Sequence, residues 1–247
     1  MAEWVRPMIV ILCTLVMLYT NLFGDGGSGF TGDSSDPGMY YAYPTSFSPA
    51  PFTFAIWLPI FFGCCALAVY QALPSQMANP RLDAFALPYC CALLANASTP
   101  FLRIGWSNLV VTLLFLLLCI ATCVVTRGNV HSVQETWAIR IPLVAFTTWC
   151  GLASLVNLCQ FLVSRGLIIS STLTISLVCL AMGLGVIAMY CTKEPVIAVV
   201  MLWAGIGILC SQPSWNSISF SVAITSAVTL LATLWVVLAS SDIAAQK

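Results

Sequence analysis

Residues 105–126 read GWSNLVVTLLFLLLCIATCVVT, an apolar run with no charge between Arg103 and Arg127. As a helix, such a run covers a hydrocarbon core about 30 Å thick and pairs every backbone N–H and C=O within the segment. Comparable runs recur along the chain. Breaks at Pro, Gly and charge predict spans at 7–23, 53–72, 84–101, 105–126, 139–162, 168–190, 195–211 and 217–238. The third holds Pro88 and Pro100 and the seventh is short, so the alternative is that one of these two is re-entrant. The stretch Met8–Phe23 reads as a retained first helix, because Glu3 dilutes the positive flank of a signal peptide and no Ala-x-Ala site follows. Barrel strands would alternate polar and apolar residues, which this chain does not do. The expected fold class is all-α, a polytopic membrane helical bundle of about eight transmembrane helices.

Composition agrees. Hydrophobic residues make up 60% of the chain and charged residues 6%, against roughly 25% charged in a soluble domain. With eight spans, Arg6, Arg81, Arg127, Arg140, Lys193 and Lys247 fall on one side and Arg103 and Arg165 on the other. Short loops on the cytoplasmic-equivalent side collect Lys and Arg, so both termini are expected there. The long loop 24–51 then lies on the opposite side, rich in Gly, Ser, Asp, Pro and Tyr, as a turn-rich flap without a core. Net charge is zero and basic clusters are absent, which argues against nucleic acid and polybasic lipid recognition.

Ionisable chemistry is missing where membrane catalysts and pumps usually keep it. No Asp, Glu, Lys, Arg or His lies near the middle of a predicted span. The chain has no G-x-S-x-G, H-E-x-x-H or P-loop, so an enzyme is not expected. The twelve cysteines fall inside or at the ends of spans without a C-x-x-C pair and read as packing residues. Cys119 and Cys123 are one turn apart, but no His completes a ligand set, and no metal site is expected.

Neutral polar and aromatic residues instead mark particular helix faces. Pro142, Phe146, Trp149, Ala153, Asn157 and Gln160 follow steps of three and four, a stripe roughly 80° wide at about 100° per residue. Two readings fit it: a helix-packing seam, or one wall of a site for a flat ring system with Ala153 as a notch beside Trp149. Phe54, Trp57, Phe61, Cys65 and Ala68 make a similar face on the second span. Asn96, Asn157 and Gln160 within spans need partners across helices or in a cavity.

These residues carry a resemblance. The segment Ser48–Trp57 (SPAPFTFAIW) resembles the Pro-rich entry and the F-x-x-x-W helix start of the TspO/MBR family, the tryptophan-rich sensory or translocator proteins, with its Phe54 one residue closer to the Trp. Tyr70–Leu82, with NPRL at 79–82, is similar to the linker of long, tryptophan-rich members. Leu94-Ala95-Asn96 resembles the start of their L-x-N-x-x-W signature, and Pro142, Trp149, Ala153 and Asn157 resemble, in order and in the W-x-x-x-A step, the family's P-x-x-x-W-x-x-x-A-x-x-N helix. Residues 200–208 look like a late segment of those members. Departures are Thr99 in place of the signature's Trp, Phe146 in place of a Tyr, and a first loop with neither Trp nor Lys, whose aromatics are Phe30, Tyr40, Tyr41, Tyr43 and Phe47.

The resemblance implies a five-helix up-and-down core over residues 1–163, with the loop 24–51 as its cover, and three additional helices over 164–247. Family members are often dimeric and bind porphyrins or sterols in a pocket closed by the first loop. By that analogy Phe54, Trp57, Asn96, Phe146, Trp149, Ala153 and Asn157 are expected to converge between the second, third and fifth spans. The leading expectation is an integral membrane binding or sensor protein for a flat hydrophobic ligand such as a tetrapyrrole, sterol or carotenoid. A structural or assembly subunit of a larger membrane complex is the alternative, followed by a small-solute carrier. The expected partners are the lipid bilayer, such a ligand, and a second copy or larger assembly.

Overall fold

The computed structural model describes residues 4–23, 43–126 and 132–245, with the backbone alone over 239–245. Eight long helices make up the described residues, which contain no strand. They are α1 (Val5–Phe23), α2 (Pro51–Tyr70, opening with a 3-10 turn), α3 (Pro80–Ser98) and α4 (Trp106–Thr126). Then come α5 (Val133–Ser164), α6 (Ser171–Thr192), α7 (Pro195–Ser211) and α8 (Ser217–Ala245). Six are long and apolar enough to cross a membrane; α3 and α7 are the two others. Each runs as one continuous helix. α3 carries Arg81 and Asp83 in its first turn, and α7 has 17 residues. Both are flanked by other helices, so protein rather than lipid faces much of their surface.

Helix ends follow local chemistry that hydropathy does not report. The Asn79 side chain accepts from the Arg81 backbone N–H at 3.1 Å and Pro80 takes the first position, so α3 begins before its apolar run. Pro88 lies inside α3 without ending it. Ser132 accepts from Glu135 N–H at 3.1 Å, and a π turn over Thr136–Arg140 then leads into Pro142, which starts α5 earlier than its apolar pattern. Ser170 caps α6 by accepting from Leu173 N–H at 3.2 Å.

The first five helices close a ring in the order α1, α2, α5, α4, α3. Close backbone approach makes the α2–α5 contact: a Cβ on Gly63 would stand 2.7 Å from the Pro142 Cβ. One apolar cluster fills the ring, including Val10, Leu67, Phe85, Leu93, Phe146 and Cys150. α6, α7 and α8 pack on one another and dock through α7 against α5 and the start of α2. A second cluster, including Phe47, Val156, Met182, Met201 and Val222, fills that junction.

Ion pairs gather at one end of the bundle. Arg6 of α1 meets Asp83 of α3 at 2.9 Å, Arg81 of α3 meets Glu135 of α5 at 3.3 Å, and Arg140 of α5 pairs with Glu194 before α7. Successive helices reverse direction, so the N-terminal end of α1 and the C-terminal end of α8 both lie at this end. Labelling single cysteines placed after residue 1 and before residue 247 should therefore modify both from the same side of a sealed vesicle. Opposite-side labelling would remove one crossing.

Candidate functional site

The fifth-span stripe faces inward, as its spacing requires. Phe146 and Trp149 are buried, and their neighbours come from α2 and α4. Trp149 meets Phe54 edge-on at 6.0 Å and Trp57 at 6.3 Å, while Trp57 stacks on Phe61 at 5.3 Å. Phe146 lies 6.1 Å from Trp57 and 5.1 Å from Phe115. Edge-to-face geometry satisfies the ring quadrupoles, each pair adding about 0.5–1.5 kcal/mol beyond burial. Four of the expected site residues, Phe54, Trp57, Phe146 and Trp149, thus form one aromatic cluster.

Beside that cluster lies a cavity of about 20 Å³, walled by Phe47, Pro49, Phe54, Trp149, Ala153 and Ala204 among others. Its volume holds about one water. Ala153 leaves the notch on the α5 side, and Phe47, only 2% exposed, reaches in from the segment before α2. The buried Trp149 Nε1 has no hydrogen-bond partner among the described residues. An indole N–H out of reach of water is a donor waiting for an acceptor.

The two asparagines have protein partners of their own. Asn96 Oδ1 accepts from Asn21 Nδ2 at 2.9 Å, tying α3 to α1. Asn157 Nδ2 donates to Thr112 Oγ1 at 3.1 Å, tying α5 to α4. Neither lines the cavity, and Trp57 and Phe146 stand outside its wall as well. α3 meets α1 and α4 rather than α2, so Asn96 projects from a helix across the ring from the Phe54 face.

α7 supplies walls that the sequence reading did not include. Ala204 and Ile208 line the cavity, and α7 grips the entry to α2. Trp203 Nε1 donates to Thr53 O at 2.7 Å, and Ala50 N donates to Gly207 O at 2.9 Å. A Cβ on Gly207 would overlap the Thr53 side chain, so only glycine allows this approach. The small residues Ala204, Gly205 and Gly207 were the available signal, since such residues mark close helix contacts in membranes. Gln212 Nε2 adds a bond to Ser46 O at 3.1 Å. Of the expected cover 24–51, residues 24–42, with Phe30, Tyr40 and Tyr41, lie outside the described residues. The described part, 43–50, is held against α7.

No group of His, Cys, Asp and Glu suited to a metal occurs among the described residues. A family model described as TSPO-like protein matches residues 5–237, reaching from α1 into α8. No curated protein and no solved structure matches the chain.

Proposed function

The chain belongs to the TSPO-like protein family, and from that premise we propose that it binds a flat hydrophobic ligand in the aromatic pocket between α2, α5 and α7. It is an integral multi-pass membrane protein in contact with the lipid bilayer. The observation that carries the reading is the Trp149 Nε1, without a hydrogen-bond partner among the described residues, on a side chain that lines the cavity with Ala153 in a wall of aromatic and aliphatic side chains. Sites for small hydrophobic molecules are mostly apolar, with a few convergent polar groups that fix orientation. Trp149 supplies such a group, and the ligand supplies one acceptor, a carbonyl, ether or hydroxyl oxygen.

A cavity of about 20 Å³ is too small for a tetrapyrrole, sterol or carotenoid. Binding therefore requires Phe47 and Pro49 to withdraw, and the segment before α2 acts as the closing element. The protein binds and reports rather than catalyses. The small closed cavity also favours the second reading, an assembly subunit whose pocket is filled by its own chain.

Absorption and mass spectrometry of the protein purified in mild detergent test the choice. A retained chromophore or sterol in stoichiometric amount supports the binding reading, and stoichiometric co-purifying proteins with no small molecule support the subunit. With a ligand in hand, Trp149→Phe should keep the ring contacts and lose the hydrogen bond, weakening binding up to about tenfold. Unchanged affinity would place the ligand elsewhere.

A further inference from the structure

A second concavity lies along the seam where the five-helix ring meets the three added helices. It is a groove of about 540 Å³ between α4, α5, α6 and α7, separate in its lining from the aromatic cavity except at Leu152. Small residues open it: Gly151 on α5 and Ala181, Gly185 and Ala188 on α6 all line it. Its volume falls within the roughly 300–1,000 Å³ of sites that enclose whole ligands.

The groove's hydroxyls are already committed. Thr147 donates to Leu143 O at 2.8 Å, Thr148 to Val144 O at 2.8 Å and Thr192 to Ala188 O at 2.7 Å. Cys123 Sγ lies 3.0 Å from Thr147 Oγ1. Along its length the wall therefore presents no donor that would orient a ring with polar edges. An alkyl chain asks for none, and an apolar space at this depth does not hold water.

Polarity returns at one end, where the three ion pairs among the described residues lie. Arg140 Nε donates to Glu194, while the Arg140 Nη groups make no hydrogen bond among the described residues. Glu194 is buried, and Arg140 is 36% exposed. Next to them Lys193, exposed on a left-handed turn with φ 61°, holds its Nζ 3.9 Å over the Tyr190 ring. Lys193 is not part of the groove wall but precedes Glu194 in the chain, so two cations stand against one carboxylate at this end. A guanidinium with both Nη groups available matches two phosphate oxygens, with Lys193 as a point charge beside it.

We propose that this groove is a binding site for an anionic phospholipid, with an acyl chain between α5 and α6 and its phosphate at Arg140 and Lys193. The lipid fills the seam and so bridges the ring to the three added helices. The site is independent of the aromatic pocket.

Native mass spectrometry of the full chain in detergent, with added dioleoyl phosphatidylglycerol or dioleoyl phosphatidylcholine, tests it. One phosphatidylglycerol per chain is expected to survive desolvation, with phosphatidylcholine held at least tenfold more weakly. In Gly151→Leu the new side chain enters the groove without moving the backbone, because a Cβ there meets only Leu116 Cδ1, at 3.9 Å. It should abolish retention of both lipids while the far-UV spectrum stays that of the parent. Lys193→Asn, which tolerates the left-handed turn, should bring the two lipids within about threefold of each other. Equal retention of both lipids by the parent, retention by Gly151→Leu at the parent's level, or a sterol held there in preference to phospholipid would each overturn the assignment.

Discussion

Arg6→Ala is expected to lower the stability of the folded bundle by about 3 kcal/mol and to free the start of α1. The Arg6 side chain is 2% exposed and makes five hydrogen bonds. Nη1 reaches Asp83 at 2.9 Å and Asn79 O at 3.2 Å, Nη2 reaches Gln76 O at 2.7 Å and Gln71 O at 3.2 Å, and Nε reaches Gln71 Oε1 at 3.3 Å. Gln71, itself fully buried, also donates back to Pro7 O at 3.3 Å. One guanidinium thus ties the first turn of α1 to the whole α2–α3 linker. Removing it strands three backbone carbonyls and an amide. The loss belongs at the low end of the roughly 3–5 kcal/mol for a broken buried pair, because Asp83 is 57% exposed and water can take over its solvation. Arg6→Lys should recover less than half of the loss, since an ammonium cannot span those acceptors in fork geometry. Unfolding midpoints in detergent, read for both variants, check this ordering.

Ala153→Phe is expected to abolish ligand retention while the bundle still folds. The cavity beside Ala153 has room for about one water, so a phenyl ring there occupies the notch and presses on Phe47 and Phe54. Overpacking of this kind costs about 1–3 kcal/mol, which a bundle of eight helices tolerates. The effect on binding is larger than on stability because the ligand needs the same space that the new ring fills. Equal retention by parent and variant, measured by mass spectrometry of the purified proteins, would contradict the placement of the pocket.

Much of this was legible before the structure. Spans announce themselves because lipid demands apolar side chains over a whole crossing, and the Phe146–Trp149–Ala153 stripe announces itself because a helix repeats every 3.6 residues. Helix starts were less legible, since α3 begins at Pro80 through the Asn79 cap, which depends on a single hydrogen bond rather than on hydropathy. Asn96 and Asn157 were readable as groups in need of partners. Their actual partners, Asn21 and Thr112, depend on the ring order of helices, which no local pattern encodes. Phe47 and Ala204 entered the pocket from a loop and from α7, far from α5 along the chain. Nothing in their own neighbourhoods points there.

The indole ¹H–¹⁵N resonance of Trp149, assigned with Trp149→Phe, tests the central claim most directly during titration with a porphyrin, a sterol and a carotenoid. Its N–H is buried without a partner among the described residues, whereas Trp215 is 67% exposed and serves as the internal control. The account predicts that one of the three ligands shifts Trp149 downfield as the N–H gains an acceptor, while Trp215 stays in place. A Trp149 resonance unmoved by all three, or one that moves only together with Trp215, would contradict it.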